Sequence, residues 1–347
     1  MWQYKTEGDV NMVSIKDLAQ MTGYSVATIS RVINGSPNVA EKTRLRVEDA
    51  IRNTGYYPNF LGRNLRLSSS MKILILLPTI ENTFYGDIIR GAETAASAAG
   101  YQLLLGVTQN QLEIERKYIE MLQSRQVDGI ILANANMDKY DLNRLAEKFP
   151  VTLLAHTVEG ANVSSVSIDN VSAAYDAVRY LISLGHRKLG ILSGYYYQNP
   201  SAARETGFFK ALSDAGLTCS PNWIIRTEFE FSSSQKACQK MMEQEDSPTA
   251  IFCVADSIAV GAIRYLVDHK LDDKISVMGF DNVLESEYFF NGISTVNQPK
   301  FDFGKKCVEL LLARIRDSNF VPEKVVFPYE LIFRGSTFPL KGSPEES

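Results

Sequence analysis

From residue 73 to residue 280, short runs that are almost entirely apolar alternate with segments of helical periodicity. Such a run indicates a strand covered on both faces, which is typical of parallel sheets with helices on each side. The pattern predicts strands at 73–77, 102–106, 129–133, 151–155, 188–192, 222–226, 249–254 and 275–280. We therefore expect an α/β core of doubly wound parallel sheets.

The alternation forms two successive series that meet near residue 169. Helices are predicted to begin near 84, 112 and 141 and to cover 171–184, 202–215, 233–245 and 257–269, and a strand at 293–296, a helix over 301–316 and a strand over 325–333 complete the core. Two series predict two lobes with a cleft between them. The core is expected at 72–336, with lobe 1 at about 72–168 and 297–324, lobe 2 at about 169–296 and 325–336, and a tail at 337–347.

The N-terminal segment differs from the core in both charge and periodicity. Eight basic and four acidic residues between 12 and 66 give it a net charge of +4, whereas the whole chain carries −4. A basic segment on an acidic body indicates that this segment approaches a polyanion. Three helical patterns follow one another here, the third over 40–54, with Leu45, Val47 and Ile51 predicted to face inward.

The first two patterns, within 15–34, fit a helix-turn-helix. Ala19 is small enough for the helix crossing, Gly23 suits the left-handed turn, and Ser25 is a suitable N-cap for the second helix. In this motif the second helix enters the major groove by its N-terminal end. We expect three side chains to face bases (Val26, Ala27 and Arg31) and three hydroxyls to face phosphates (Ser25, Thr28 and Ser30).

The stretch from Val13 to Gly35 resembles the start of the lactose/galactose repressor (LacI/GalR) family. The likeness continues at Thr43-Arg44, at 55–59 and at 63–65, and it extends through the core to about residue 335. It implies a transcriptional repressor with a helix-turn-helix domain at 12–58 and a hinge helix and linker at 59–71. Residues 1–11 would form an N-terminal extension, to which we assign no function.

The resemblance enlarges the expected DNA-binding set, adding Asn34, Tyr56, Asn59, Arg63 and Leu65. Leu65 matches the leucine that paired hinge helices of the family wedge into the minor groove, which bends the DNA. The family therefore implies a homodimer on a pseudopalindromic operator of double-stranded DNA. The family does not determine whether the effector releases or strengthens operator binding.

Ligands of open α/β sheets bind beyond the carboxyl ends of the strands. The residues predicted there are Thr83, Phe84 and Tyr85 after the first strand, residues 193–201 after the strand at 188–192, Asp256 after the strand at 249–254, and Asp281 after the strand at 275–280. The resemblance further implies an effector-binding arginine at Arg204 and a pocket aspartate at Asp281. An arginine and an aspartate on opposing walls would suit a sugar, a sugar derivative or a nucleoside, with Phe84 and Tyr85 stacking on its face.

These assignments have simpler structural alternatives. Phe84 could be a core residue, Asp281 could cap the next turn, and Arg204 could form a surface ion pair. For function, a regulator controlled by a partner protein, which an apolar exposed groove on lobe 1 would favour, and a solute-binding protein without a regulatory role both remain open.

Several other classes find no support in the sequence. Nucleophile-elbow, phosphate-loop and dinucleotide motifs are missing, and four cysteines and three histidines are scattered without metal-ligand spacing. We therefore expect no enzyme activity, no metal and no cofactor beyond the effector. With no apolar run of 18 residues and no secretory signal, we expect a cytoplasmic protein with no membrane contact.

Overall fold

The computed structural model describes residues 13–33, 35–56, 69–195 and 199–340. The chain divides into two compact units between Ser68 and Ser69. We call the described part of the first unit the head (13–33 and 35–56) and that of the second unit the core (69–195 and 199–340). Each unit is described by itself.

The head consists of three helices: α1 (Ile15–Thr22), α2 (Val26–Ile33) and α3 (Glu41–Thr54). Ser14 and Asp17 form a reciprocal capping box at the start of α1, and Gly23 ends that helix with a φ of 77°. The helices enclose a small core made of Leu18, Ile29, Val32, Val47 and Tyr56. The three predicted helices are thus confirmed.

Leu45 was predicted to face inward with Val47 and Ile51, and this prediction is wrong. The Leu45 side chain is 54% exposed, whereas Val47 is fully buried. Because successive helical residues are about 100° apart around the axis, positions 45 and 47 lie on nearly opposite faces. Val47 and Ile51, four residues apart, share one face.

Lobe 1 contains a six-stranded parallel sheet in the order β11-β5-β4-β3-β1-β2. The strands are β1 (Lys72–Leu77), β2 (Gln102–Val107), β3 (Gly129–Ala133), β4 (Val151–Leu154), β5 (Ser164–Ile168) and β11 (Lys324–Phe327). The helices are α4 (Phe84–Ala98), α5 (Leu112–Gln123), α6 (Lys139–Lys148) and α12 (Lys300–Arg316).

Lobe 2 contains a four-stranded parallel sheet in the order β7-β6-β8-β9. Its strands are β6 (Leu189–Ser193), β7 (Ile224–Arg226), β8 (Ala250–Cys253) and β9 (Ser276–Met278). Its helices are α7 (Asn170–Ser183), α8 (Asn199–Asp214), α9 (Phe231–Met242), α10 (Asp256–Asp268) and α11 (Leu284–Tyr288). An antiparallel pair, β10 (Thr295–Asn297) and β12 (Glu330–Ile332), completes this lobe.

Two features of the core differ from the prediction. Strand β5 was not predicted, and the single strand predicted over 325–333 is two strands in different lobes. Pro328 lies between them and has no N–H to continue a strand ladder. Because β11 pairs with β5, residues 325–327 belong to lobe 1, and the predicted boundary at 324–325 moves to 328–329.

The chain passes between the lobes three times through very short connections. These are residue 169 between β5 and α7, residues 298–299 between β10 and α12, and residues 328–329 between β11 and β12. The carboxyl ends of the parallel strands in both lobes therefore face one cleft.

Candidate functional site

In the head, the side chains predicted to read bases lie on the outer face of α2. Val26, Ala27 and Arg31 are exposed, whereas Ile29 and Val32 of the same helix are buried. Ser25 caps this helix, since its Oγ accepts a hydrogen bond from the Thr28 N–H at 3.1 Å. This arrangement fits insertion of α2 into a groove, and the contacts of these residues and of half-buried Ser30 with DNA stay predictions.

Tyr56 was predicted to contact DNA, but the structure places it in the head's core. Its side chain is only 8% exposed and packs with Leu18 and Val47, and burial raises the pKa of its hydroxyl. We therefore reassign Tyr56 as a core residue. The other DNA-contact predictions taken from the family, Asn34, Asn59, Arg63 and Leu65, lie outside the described residues.

The core contains a cavity of about 660 Å³ in the cleft between the lobes. Lobe 1 lines it with the loops that follow β1, β2, β3 and β4. Lobe 2 contributes the start of α8, residues 228–230 and Asp281. The cavity thus lies at the carboxyl ends of the strands, as the rule for open α/β sheets predicts.

Arg204 projects from α8 and is buried at the wall of this cavity. Its Nε donates to Asn170 Oδ1 at 2.9 Å, and its Nη1 donates to the Val254 carbonyl at 2.5 Å. Nη1 also lies 3.1 Å from Asp281 Oδ1, and the guanidinium stacks on Phe280 with 3.6 Å to the ring centroid. With an exposed fraction of 5%, Arg204 is not part of a surface ion pair.

Asp281 adjoins Arg204, so the prediction of an arginine and an aspartate on opposing walls is wrong. The carboxylate is buried and also accepts a hydrogen bond from Gln298 Nε2 at 2.7 Å. Burial raises its pKa against the opposing effects of Arg204 and Lys300. Burial likewise lowers the pKa of Arg204, and Asp281 opposes that change. Desolvation therefore outweighs the mutual attraction in both groups.

The backbone at Asp281 is held in an uncommon conformation with a φ of 113°. Lys300 Nζ donates to the Asp281 carbonyl at 2.8 Å and to the Asn282 carbonyl at 2.7 Å, which ties this turn to the start of α12. Strained backbone of this kind is often retained at functional sites. The side-chain contacts with Arg204 and Gln298 assign Asp281 to the cavity wall rather than to a helix cap.

The aromatic pair from lobe 1 lies where it was predicted. Phe84 and Tyr85 both line the cavity, with ring centroids 5.2 Å apart in an edge-to-face arrangement. Phe84 also belongs to the buried core cluster, so its core and cavity interpretations are compatible. Burial, together with Asp281, raises the pKa of the Tyr85 hydroxyl, which reaches toward the charged pair of lobe 2.

Two predicted effector residues do not line the cavity. Asp256 is fully buried, where it accepts hydrogen bonds from the Val283 N–H at 3.0 Å and from Thr295 Oγ1 at 2.7 Å. Thr83 is exposed, and its hydroxyl donates to Glu285 Oε2 at 2.7 Å. Asp256 therefore stabilises the interior of lobe 2, and Thr83 links the two lobes.

Asn134 and Asn110 line the cavity and were missed by the sequence analysis. Asn134 directly follows β3, so the strand-end rule that selected Asp281 would also have selected it. Its Nδ2 donates to Asn110 Oδ1 at 2.7 Å, while its Oδ1 is buried without a hydrogen-bond partner. Residues 228–230, after β7, were missed as well.

A second cavity of about 540 Å³ lies on lobe 1 between α5 and α6, over an apolar floor. Its rim carries three basic residues, Arg116, Arg144 and Lys148. Arg116 pairs with Glu113 at 3.4 Å and Arg144 pairs with Asp141 at 2.8 Å, and Lys148 adds a further positive charge. An apolar groove on lobe 1 is the feature that control by a partner protein requires, so this alternative stays a prediction.

Metal and thiol chemistry find no site in the described ranges. No cluster of three or more His, Cys, Asp or Glu side chains able to hold a metal occurs there. All four cysteines are free, and burial raises the pKa of Cys219 to about 11 and that of Cys238 to about 12.

None of the helices described is long and apolar enough to span a membrane.

Together, the helix-turn-helix head and the two-lobed core define a class of transcription regulators with a DNA-binding domain and a periplasmic-binding-protein-like core. Residues 14–59 match the model of bacterial regulatory proteins of the lacI family. Residues 70–334 match the model of periplasmic binding proteins and the sugar binding domain of the LacI family. The chain belongs to the LacI family, and it is a DNA-binding transcriptional regulator rather than an enzyme.

Similar proteins extend over almost the entire chain. It is 34% identical to the HTH-type transcriptional repressor PurR of Photobacterium profundum, over 94% of this chain and 98% of that protein. It is 31% identical to the HTH-type transcriptional repressor CytR of Escherichia coli, over 96% and 98% of the two chains.

Solved structures agree with this fold. The Lac repressor dimer bound to operator and the anti-inducer ONPF is 22% identical, with a TM-score of 0.83 over 94% of this chain and 99% of that chain. The complex of the regulator CelR with cellobiose is 25% identical, with a TM-score of 0.71 over 93% and 99%.

Proposed function

We propose that this protein is a repressor whose affinity for operator DNA is controlled by a small molecule in the interlobe cleft. The observation that carries this proposal is the cavity of about 660 Å³ at the strand ends, with the buried Arg204–Asp281 pair in its wall. A buried charged pair beside an open cavity offers directional hydrogen bonds in a water-poor setting. The expected ligand is a sugar, a sugar derivative or a nucleoside.

We further propose that the protein acts as a homodimer on a pseudopalindromic operator in the cytoplasm. The Lac repressor structure contains a dimer on its operator, and the relatives PurR and CytR are named as transcriptional repressors. Twofold symmetry would place two copies of α2 on two half-sites. Effector binding would then change operator affinity by shifting the angle between the lobes.

The test begins with an operator selected from random-sequence duplexes by the full-length protein. Sugars, sugar phosphates, nucleosides and purines are screened by thermal shift, and each ligand that raises the melting temperature is added to an operator-binding titration. The proposal expects at least one ligand to stabilise the protein and to change operator affinity. Binding of DNA that responds to none of them would overturn control by these ligands.

The variant Asp281→Asn tests the site itself. It keeps the side-chain size, but it removes the charge that faces Arg204. We expect ligand affinity to fall about tenfold or more, since hydrogen bonds to charged groups contribute about 1.5–3 kcal/mol. Operator binding without ligand should stay at the wild-type level, and Asp272→Asn, away from the cavity, serves as the control. Equal ligand affinity in the two variants would contradict the assignment.

A further inference from the structure

We propose that the cleft selects an uncharged ligand rich in hydrogen-bond donors and rejects the phosphorylated form of the same ligand. This inference rests on the proposed small-molecule function and narrows the chemistry of the ligand. It depends on three features of the cavity: its charge, the helix ends that open on it, and one buried acceptor.

The charge of the lining is negative. Four carboxylates line the cavity, from Glu81, Glu228, Glu230 and Asp281, and Arg204 is the one cationic side chain among the described lining residues. Asp281 already compensates Arg204 at 3.1 Å. The exposed carboxylates of Glu81 and Glu230 therefore set the sign of the potential that an entering ligand meets, and this potential opposes an anion.

Helix N-termini commonly bind phosphate through free N–H groups, but those beside this cavity are poorly suited to it. At the start of α4, Asn82 Oδ1 accepts from the Phe84 N–H at 2.9 Å. At the start of α8, Pro200 has no N–H to donate. Glu230 is the N-cap residue of α9 and brings a carboxylate to that terminus. The ends of α4 and α9 thus disfavour a phosphate, and the end of α8 has one N–H fewer to offer it.

The buried acceptor is Asn134. Its side chain is 92% buried, and its Nδ2 is engaged by Asn110 Oδ1, which orients the amide. Its Oδ1 has no partner although it belongs to a residue of the cavity wall. Buried acceptors are nearly always satisfied. This oxygen is covered in the structure, so a ligand O–H or N–H reaches it when the Asn134 amide turns toward the cavity on binding. Asn134 would then bind the ligand, and Asn110 would be a positioning residue.

Phe84, Tyr85 and Phe229 add aromatic surface to the same cavity. Rings of this kind stack on a nucleobase or on the apolar face of a sugar ring. The ligand thus combines an apolar face with several O–H or N–H donors and no negative charge. Nucleosides and free sugars both have this chemistry, and the experiment distinguishes between them.

The test uses matched pairs of probes on the full-length protein at low ionic strength, because exposed charges are screened by salt. The pairs are the four common ribonucleosides with their 5′-monophosphates, and ribose and glucose with their monophosphates. Calorimetric titration should show that, for the pair that binds, the uncharged member binds at least tenfold more tightly.

Variants test whether the glutamates and Asn134 cause the preference for the uncharged probe. The triple variant E81Q/E228Q/E230Q should reduce the preference at least threefold, whereas the surface control E113Q/E120Q/E147Q should leave it unchanged. Asn134→Gly, which suits the φ of 61° at this position, should weaken binding of the uncharged probe at least fivefold.

Two results would overturn the inference while leaving the proposed function intact. One is tighter or equal binding of a monophosphate, and the other is an unchanged preference in the triple glutamine variant. If no probe of either kind binds or alters operator affinity, the inference falls together with the proposed control by these ligands.

Discussion

Asp256 and Asp281 both follow strands of lobe 2, yet they have different surroundings. The rule that ligands bind beyond the carboxyl ends of the strands correctly predicted that both lie near the cleft. It could not predict which of the two carboxylates faces the cavity. That depends on partners far away in the sequence, because Thr295 and the Val283 N–H hold Asp256 inside the lobe. The Arg204–Asp281 contact was likewise beyond the sequence, since residue type indicates charge but not which wall a side chain occupies.

Asp256 should make the stability of the core depend on pH. Burial, followed by the effect of Asp281, raises its pKa from 3.8 to about 7. Between about pH 4 and pH 7 the folded protein therefore keeps a proton that the unfolded chain loses, and the free energy of unfolding falls as pH rises. At about 1.4 kcal/mol per pKa unit, the contribution is at most about 4 kcal/mol.

The variant Asp256→Asn removes this titration while keeping the shape of the side chain. Denaturation at pH 5 and pH 7.5 should show a smaller loss of stability at the higher pH than in the wild type. Asp272→Asn should behave like the wild type. The same pH dependence in Asp256→Asn as in the wild type would mean that another group is responsible.

At the scale of elements, the main helix pairs of the core cross where a glycine removes a side chain. Added Cβ atoms would collide with backbone at Gly91 and Gly304 between α4 and α12, at Gly207 between α8 and α7, and at Gly261 between α10 and α9. Periodicity predicted these helices well. It could not predict their partners, because α4 and α12 are about 200 residues apart in the sequence.

Gly91→Ala and Gly304→Ala should each destabilise the core by about 1–3 kcal/mol, since the new methyl group forces the helices apart. Gly86→Ala is the matched control, because it lies in α4 with open space around it. That variant should be neutral or stabilising by up to about 1 kcal/mol through helix propensity. Urea denaturation measures all three, and equal stability of Gly91→Ala and Gly86→Ala would contradict the close crossing.

Strand prediction failed at two places where the polarity of the sequence does not follow the structure. Strand β5 is buried throughout although three of its five residues are serines, so its sequence lacks the apolar run by which the other strands were recognised. Conversely, the apolar segment 325–333 was predicted as one strand, although the chain changes from one lobe to the other at Pro328. In both cases neighbouring strands, rather than the local sequence, determine the pairing.

At the scale of the whole core, side-chain hydrogen bonds join the described parts of the lobes at Lys300, which donates to the carbonyls of Asp281 and Asn282, and at Thr83, whose Oγ1 donates to Glu285 Oε2. Thr83 lies far in the sequence from the three connections. We expect Thr83→Val to weaken ligand binding about two- to fivefold, since a hydrogen bond of this kind contributes about 0.5–1 kcal/mol to the closed arrangement. Thr94→Val, whose hydroxyl bonds within α4, is the control. Titration with a ligand found in the screen measures both, and equal affinities would exclude a role in closure.

The three short connections between the lobes, at residues 169, 298–299 and 328–329, together form a hinge. Each connection is only one or two residues long, so sliding one lobe along the other would strain all three, whereas rotation of one lobe relative to the other changes a few torsion angles only. The connections therefore favour rotation over sliding as the motion that opens the cleft. A distance between one label on each lobe would then report how far the lobes have rotated.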